Sequence, residues 1–135
     1  MRINALDHIN IRTTRFDETL GFYRDTIGLS VRPSPVVSDI SEGAWICDQS
    51  DRPIIHLVPA GQTVRALGSM EVDDDAATGT GPLHHVALDC GDYEIFRAHL
   101  DASGRDLRFN DIPQAGLRQI FVRDPNGLLV ELNFR

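Results

Sequence analysis

Leu6-Asp7-His8-Ile9-Asn10-Ile11 returns, in altered form, as Leu83-His84-His85-Val86-Ala87-Leu88, with His8 and His85 at the same place in the two copies. Each copy precedes a helical pattern and then several short strand-like runs. The ends correspond as well: Ile54-Ile55-His56-Leu57-Val58 closes the first copy and Leu129-Val130-Glu131-Leu132-Asn133 the second. Two copies of about half the chain each are too few for a solenoid and imply a duplicated module whose halves build one site.

After the first strand, Thr14-Arg15-Phe16-Asp17 has capping-box spacing, and Phe16, Leu20, Tyr23 and Ile27 recur at helical intervals before Gly28. In the second copy Asp92 is placed to cap a helix bearing Tyr93, Phe96 and Leu100 on one face, with Gly104 as its stop. Strand runs follow at residues 29–32, 44–47 and 54–58, and again at 107–109, 117–123 and 128–134. Asp48-Gln49-Ser50-Asp51-Arg52-Pro53 and Asp124-Pro125-Asn126-Gly127 are the turns before the two last strands. Each module therefore reads β-α-β-β-β. The expected fold is α+β: tandem β-α-β-β-β modules at residues 1–59 and 83–135 form a curved eight-stranded mixed sheet around a cleft. Residues 60–82, rich in glycine and carrying Asp73-Asp74-Asp75, read as a linker long enough to serve as a lid.

At 135 residues the chain fits one domain, and neither module alone is large enough to bury a good core. The formal net charge of −7 argues against nucleic acid and anionic membrane surfaces as partners. No apolar run approaches a membrane span, and Met1-Arg2-Ile3-Asn4 leads straight into the first strand, so a cytoplasmic protein is expected. Cys47 and Cys90 form no CxxC pair and read as small buried hydrophobes in a reducing compartment.

Strand alternation puts Leu6, His8, Asn10 and Arg12 on one face and Ile9 and Ile11 on the other. By the same count His56, His85 and Glu131 project from the faces opposite the helices. A strand histidine alone is ordinarily a hydrogen-bonded structural residue. Imidazole or carboxylate at all four equivalent positions of a duplicated fold is different, because a carboxylate taken out of water needs a compensating cation. His8, His56, His85 and Glu131 are thus expected to hold one divalent ion. Nitrogen-rich donors suit Fe, Mn, Co, Ni or Zn and argue against Ca or an all-oxygen Mg site. His84 and His99 read as structural or surface residues.

These pieces, with Gly21-Phe22-Tyr23-Arg24 leading to Gly28-Leu29 and Phe121-Val122-Arg123-Asp124-Pro125-Asn126-Gly127 leading to Glu131, resemble the vicinal oxygen chelate superfamily. That group holds glyoxalase I, methylmalonyl-CoA epimerase, fosfomycin-resistance enzymes, bleomycin-binding proteins and extradiol dioxygenases. The resemblance implies ligands at His8, His85 and Glu131. It makes His56 either a fourth ligand, as in glyoxalases, or an acid/base, as in ring-cleaving dioxygenases. Phe121 stands where those dioxygenases carry a tyrosine, and Arg12 where glyoxalase I meets its thiol cofactor.

The resulting expectation is a glyoxalase-type lyase or isomerase acting on a small molecule that chelates the metal through vicinal oxygens. Glu131 and His56 are its catalytic candidates, and Arg12, Asn10, Arg118 and Phe121 its substrate contacts. The alternatives are an Fe(II) extradiol dioxygenase and a metal-free binding protein of the bleomycin-resistance kind. Open sheet edges suggest a homodimer.

Overall fold

The computed structural model describes residues 1–2, 4–35, 37–61, 80–81 and 83–135. The expected linker and lid fall mostly on residues 62–79 and 82, outside the described residues. The chain divides into two compact units, Met1–Thr78 and Gly79–Arg135.

In the first unit β1 (Ile9–Thr13), β2 (Ser30–Pro33), β3 (Ala44–Cys47) and β4 (Pro53–Pro59) form a four-stranded mixed sheet in the order β1-β4-β3-β2. The second unit repeats it with β5 (His85–Cys90), β6 (Leu107–Ile112), β7 (Leu117–Arg123) and β8 (Leu129–Phe134), in the order β5-β8-β7-β6. In each sheet the outer parallel pair joins the first and last strands of the module. The eight strands expected from the sequence are all present, four to a sheet.

Alternation along the strands sorts each sheet into two faces. In the first unit Ala44, Ile46, Ile55 and Leu57 are buried, and α1 (Phe16–Gly21), which packs on β4, supplies buried Phe16 and Leu20. In the second, Ile120, Val122, Val130, Leu132 and Phe134 are buried, and the Phe134 ring meets Tyr93 and Phe96 of α2 (Tyr93–Ala102) edge-on. These faces leave the polar strand positions on the other side.

The first helix departs from the sequence expectation in two ways. It is α-helical only over Phe16–Gly21 and continues as a π-helical turn over Phe22–Thr26, where the Ile27 amide donates to the Phe22 carbonyl five residues back. Phe22 and Tyr23 are adjacent and both fully buried, at 1% and 0% exposure, and a widened turn lets neighbouring aromatics enter the core together. The expected cap at Thr14 is not made. Instead the Thr13 hydroxyl accepts from the Arg15 amide, and Arg15 occupies the N-cap position with no side-chain cap. Asp92 does sit at the N-cap of α2, but it is left-handed (φ 56°) and caps with its carbonyl, which accepts from Ile95 and Phe96.

The turn before the last strand is one device used twice. Asp48 Oδ1 accepts from the amides of Ser50 and Arg52, and Asp124 Oδ1 from those of Asn126 and Leu128. The third residue after each aspartate has positive φ: Gly127 at 87° and Asp51 at 59°. A left-handed conformation costs an L-residue roughly 1 kcal/mol that glycine does not incur. Asp51→Gly is therefore expected to raise stability by about 0.5 kcal/mol in urea titration, after loss of the exposed Asp51–Arg32 ion pair.

Candidate functional site

Parallel pairing sets the candidate residues in the same register in both units. In the first, His56 on β4 lies opposite Asn10, two residues after His8. In the second, Glu131 on β8 lies opposite Ala87, two residues after His85. The rows continue across the sheets as Asn10, His56, Trp45, Arg32 and as Ala87, Glu131, Phe121, Arg108. In each row a metal-ligating side-chain type is followed by an aromatic ring and an arginine.

His8 immediately precedes β1, and its ring meets Trp45 edge-on with centroids 4.8 Å apart and His56 at 6.2 Å. Trp45 in turn stacks on His56 at 4.6 Å. Trp45 carries no signal in the sequence beyond its place in an apolar strand, and only the β3–β4 register puts it against His56. Asn10 and Arg12 share this face, Arg12 opposite Val58.

In the second unit His85 Nε2 lies 3.5 Å from Glu131 Oε2. Gln119 fixes the other carboxylate oxygen: its Nε2 donates to Glu131 Oε1 at 2.7 Å and to Asn133 Oδ1 at 2.9 Å, while its Oε1 accepts from Asn110. Sequence reasoning did not single out Gln119, although it has the same strand parity as Phe121. Arg118 has the opposite parity. Its guanidinium lies 3.3 Å from the centre of the Tyr93 ring and pairs with Glu94 at 2.9 Å, on the helix side of the sheet. The structure thus brings Phe121 beside Glu131 and holds Arg118 on the other face.

All three candidate histidines have Nδ1 engaged. His8 Nδ1 contacts Asp7 Oδ2 at 2.5 Å, His56 Nδ1 contacts Asn10 Nδ2 at 3.2 Å, and His85 Nδ1 contacts His84 Nδ1 at 3.0 Å. His84, expected to be structural, is therefore an orienting neighbour of His85. A half-turn of the Asn10 amide exchanges its oxygen and nitrogen, so that contact serves either tautomer of His56. Engagement of Nδ1 orients the ring and directs Nε2 outward, the arrangement in which a metal-ligating histidine is held by its surroundings. Among the described residues no group of three or more His, Cys, Asp or Glu is gathered to hold a metal. Each unit supplies one pair of donor types: imidazole with imidazole in the first, imidazole with carboxylate in the second.

Burial, reinforced by the charge of His8, lowers the pKa of His56 below the ordinary histidine value, which keeps its imidazole neutral near pH 7. A histidine with a lowered folded pKa binds fewer protons folded than unfolded. Its stabilising contribution is present above the unfolded value of about 6.5 and is lost as pH falls toward the folded one. In metal-stripped protein, melting temperature should therefore fall as pH drops below about 6.5, and His56→Gln should flatten that slope. A slope identical in the variant would contradict the assignment. Burial pushes the Cys90 thiol up to about 11, and Cys47 is buried, so neither is an activated nucleophile. No helix among the described residues is long and apolar enough to cross a membrane.

The model of the Glyoxalase/Bleomycin resistance protein/Dioxygenase superfamily matches residues 5–132. A curated relative, "Glyoxylase I 4" of Arabidopsis thaliana, is 21% identical over 134 residues, which span 98% of this chain and 71% of that protein. Lactoylglutathione lyase from Agrobacterium tumefaciens superposes with a TM-score of 0.66 at 16% identity, covering 99% of this chain and 96% of that one. TnmS3, an antibiotic binding protein from Streptomyces sp. CB03234, superposes with a TM-score of 0.67 at 18% identity, covering 99% and 98%. At these identities the structural likeness is one of fold, on which enzymes and binding proteins are both built.

Proposed function

Because the chain belongs to the Glyoxalase/Bleomycin resistance protein/Dioxygenase superfamily, we propose that it is a metal-dependent lyase or isomerase of the glyoxalase type. Its substrate on this reading is a small molecule with adjacent oxygens. The observation that carries it is the pairing of an imidazole with a carboxylate on β5 and β8, together with Nδ1 engagement of all three histidines. His8, His56, His85 and Glu131 would hold the ion.

A bound divalent ion would polarise a carbonyl oxygen and make the neighbouring carbon more acidic. Two residues of the chain are suited to move that proton. His56 is neutral near pH 7 and can accept it in the alternative role to coordination, in which His8, His85 and Glu131 alone hold the ion. Glu131 has one oxygen fixed by Gln119, which leaves Oε2 as the atom able to take or return a proton. Asn10 and Arg12 share the His56 face, and Phe121 is the cross-strand neighbour of Glu131, so these three are the substrate contacts of the proposal.

The test is anaerobic turnover of a hemithioacetal or 2-oxo thioester by protein loaded in turn with Ni, Co, Zn, Mn or Fe. Turnover that needs the metal and not oxygen is the expected result. Oxygen-dependent yellow product from catechols under Fe(II) alone would replace this reading with the extradiol one, in which Phe121 works without a phenol. The antibiotic-binding neighbour TnmS3 favours a second reading, a passive binding protein. Metal-independent ligand binding with no turnover would favour it.

A further inference from the structure

The face of the second sheet that carries Glu131 also carries a pocket of about 450 Å³, lined chiefly by Arg105, Asp106, Arg108, Phe121, Arg123 and Leu129. Its charged lining is opposite in sign to the chain as a whole. Three arginines against one aspartate give it a formal charge of +2, on a protein whose net charge is −7. Arg108, Phe121 and Glu131 stand in one row across β6, β7 and β8, with Arg123 and Leu129 paired in the adjoining row of the same face.

We propose that this pocket binds the anionic end of a small organic substrate: a carboxylate or phosphate on the arginines, with an apolar body against Phe121 and Leu129. Guanidinium groups match the forked geometry of such oxyanions, and an arginine-lined recess on an acidic protein concentrates anions that the rest of the surface repels. The ion pair of Arg108 with Asp106 is exposed, with N···O at 3.4 Å, and an entering oxyanion can replace it at little cost. Arg123, which lines the pocket, donates to the Gly127 carbonyl at 2.7 Å through one nitrogen, which restrains its guanidinium.

The row also sets a length. Arg108 is two strands from Glu131, and at a strand spacing of about 4.8 Å the two lie about 10 Å apart along the sheet. A ligand seated on the arginines with its reacting carbon at Glu131 is thus about that long. Placing Glu131 at the reacting end rests on the function proposed above, whereas anion binding in the pocket does not.

The experiment is titration of chelator-stripped protein with phenylacetate, phenylphosphate and neutral phenylacetamide, followed by amide resonances in ¹H–¹⁵N spectra. One or both anions should bind, shifting Phe121, Val122 and Leu129, with phenylacetamide at least tenfold weaker. The tighter anion identifies the oxyanion class. Arg105→Ala with Arg108→Ala, both changes being at exposed residues, should weaken anion binding at least tenfold while the variant spectrum stays that of a folded protein. Equal binding of the amide, no loss in the double variant, or shifts confined to other residues would overturn the proposal. Metal uptake, measured separately on the same double variant, should match the parent. Loss of anion binding with metal retained, and loss of metal with anion binding retained, therefore report on different claims.

Discussion

Glu131→Ala should abolish stoichiometric metal binding and lower turnover by roughly 10²- to 10⁴-fold, the range for a lost proton-transfer group. The Glu131 side chain is 13% exposed, and its oxygens are divided between Gln119 and His85. It is the one carboxylate in the proposed donor set, so its removal takes away both a ligand and the negative charge that offsets the ion. The fold should tolerate the change in the absence of metal, because Gln119 keeps its bond to Asn133 and its acceptor bond from Asn110. Metal content by elemental analysis and melting temperature in chelator separate the two effects. Glu131→Gln sharpens the test, since it preserves the size of the side chain while removing the charge, and it should still lose the ion. Full metal occupancy in both variants would remove Glu131 from the site.

Asp124→Ala should destabilise the chain by about 3 kcal/mol, lowering the melting temperature by on the order of 10 °C. Asp124 is 4% exposed, and its Oδ1 accepts from the amides of Asn126 and Leu128 at 2.8 and 2.9 Å. Truncation leaves both donors without that oxygen inside a closed turn, at roughly 1–3 kcal/mol for each buried donor. Asp48→Ala removes the equivalent oxygen from a more exposed turn, where water replaces it, and should cost about 1 kcal/mol. Equal losses at the two positions in denaturant titration would show that burial does not set the difference.

Both turns were legible in the sequence, because an aspartate followed by a run of turn-forming residues before an apolar strand has few other uses. So were the eight strands, whose period-2 patterning also put His8, His56, His85 and Glu131 on the polar faces. What the sequence did not carry was register. Trp45 against His56, Gln119 against Glu131, and Arg108 in the row of Phe121 are cross-strand relations that no single strand encodes. Arg118 offers a substrate its charge, but counting along β7 puts it with Ile120 and Val122, on the side where Tyr93 holds it. The first helix misled for another reason: a 3.6-residue period fits Phe16, Leu20, Tyr23 and Ile27, and gives no sign that burying Phe22 beside Tyr23 widens the last turn.

The two units repeat one arrangement with different chemistry at its centre. His56 occupies in the first row the place Glu131 holds in the second, so the duplication gives an imidazole pair in one unit and an imidazole–carboxylate pair in the other. A ligand and a proton carrier fail differently on removal. His56→Ala should weaken metal affinity, with partial recovery of turnover in excess metal, if His56 coordinates; unchanged affinity with turnover reduced would assign it to proton transfer alone.

Whether His8, His56, His85 and Glu131 hold a metal is decided by elemental analysis of the protein, purified without chelator and then equilibrated with Fe(II), Mn, Co, Ni or Zn. About one tightly held divalent ion per chain is expected, released by chelator with a fall in melting temperature. A folded protein that takes up none of the five metals would contradict the assignment.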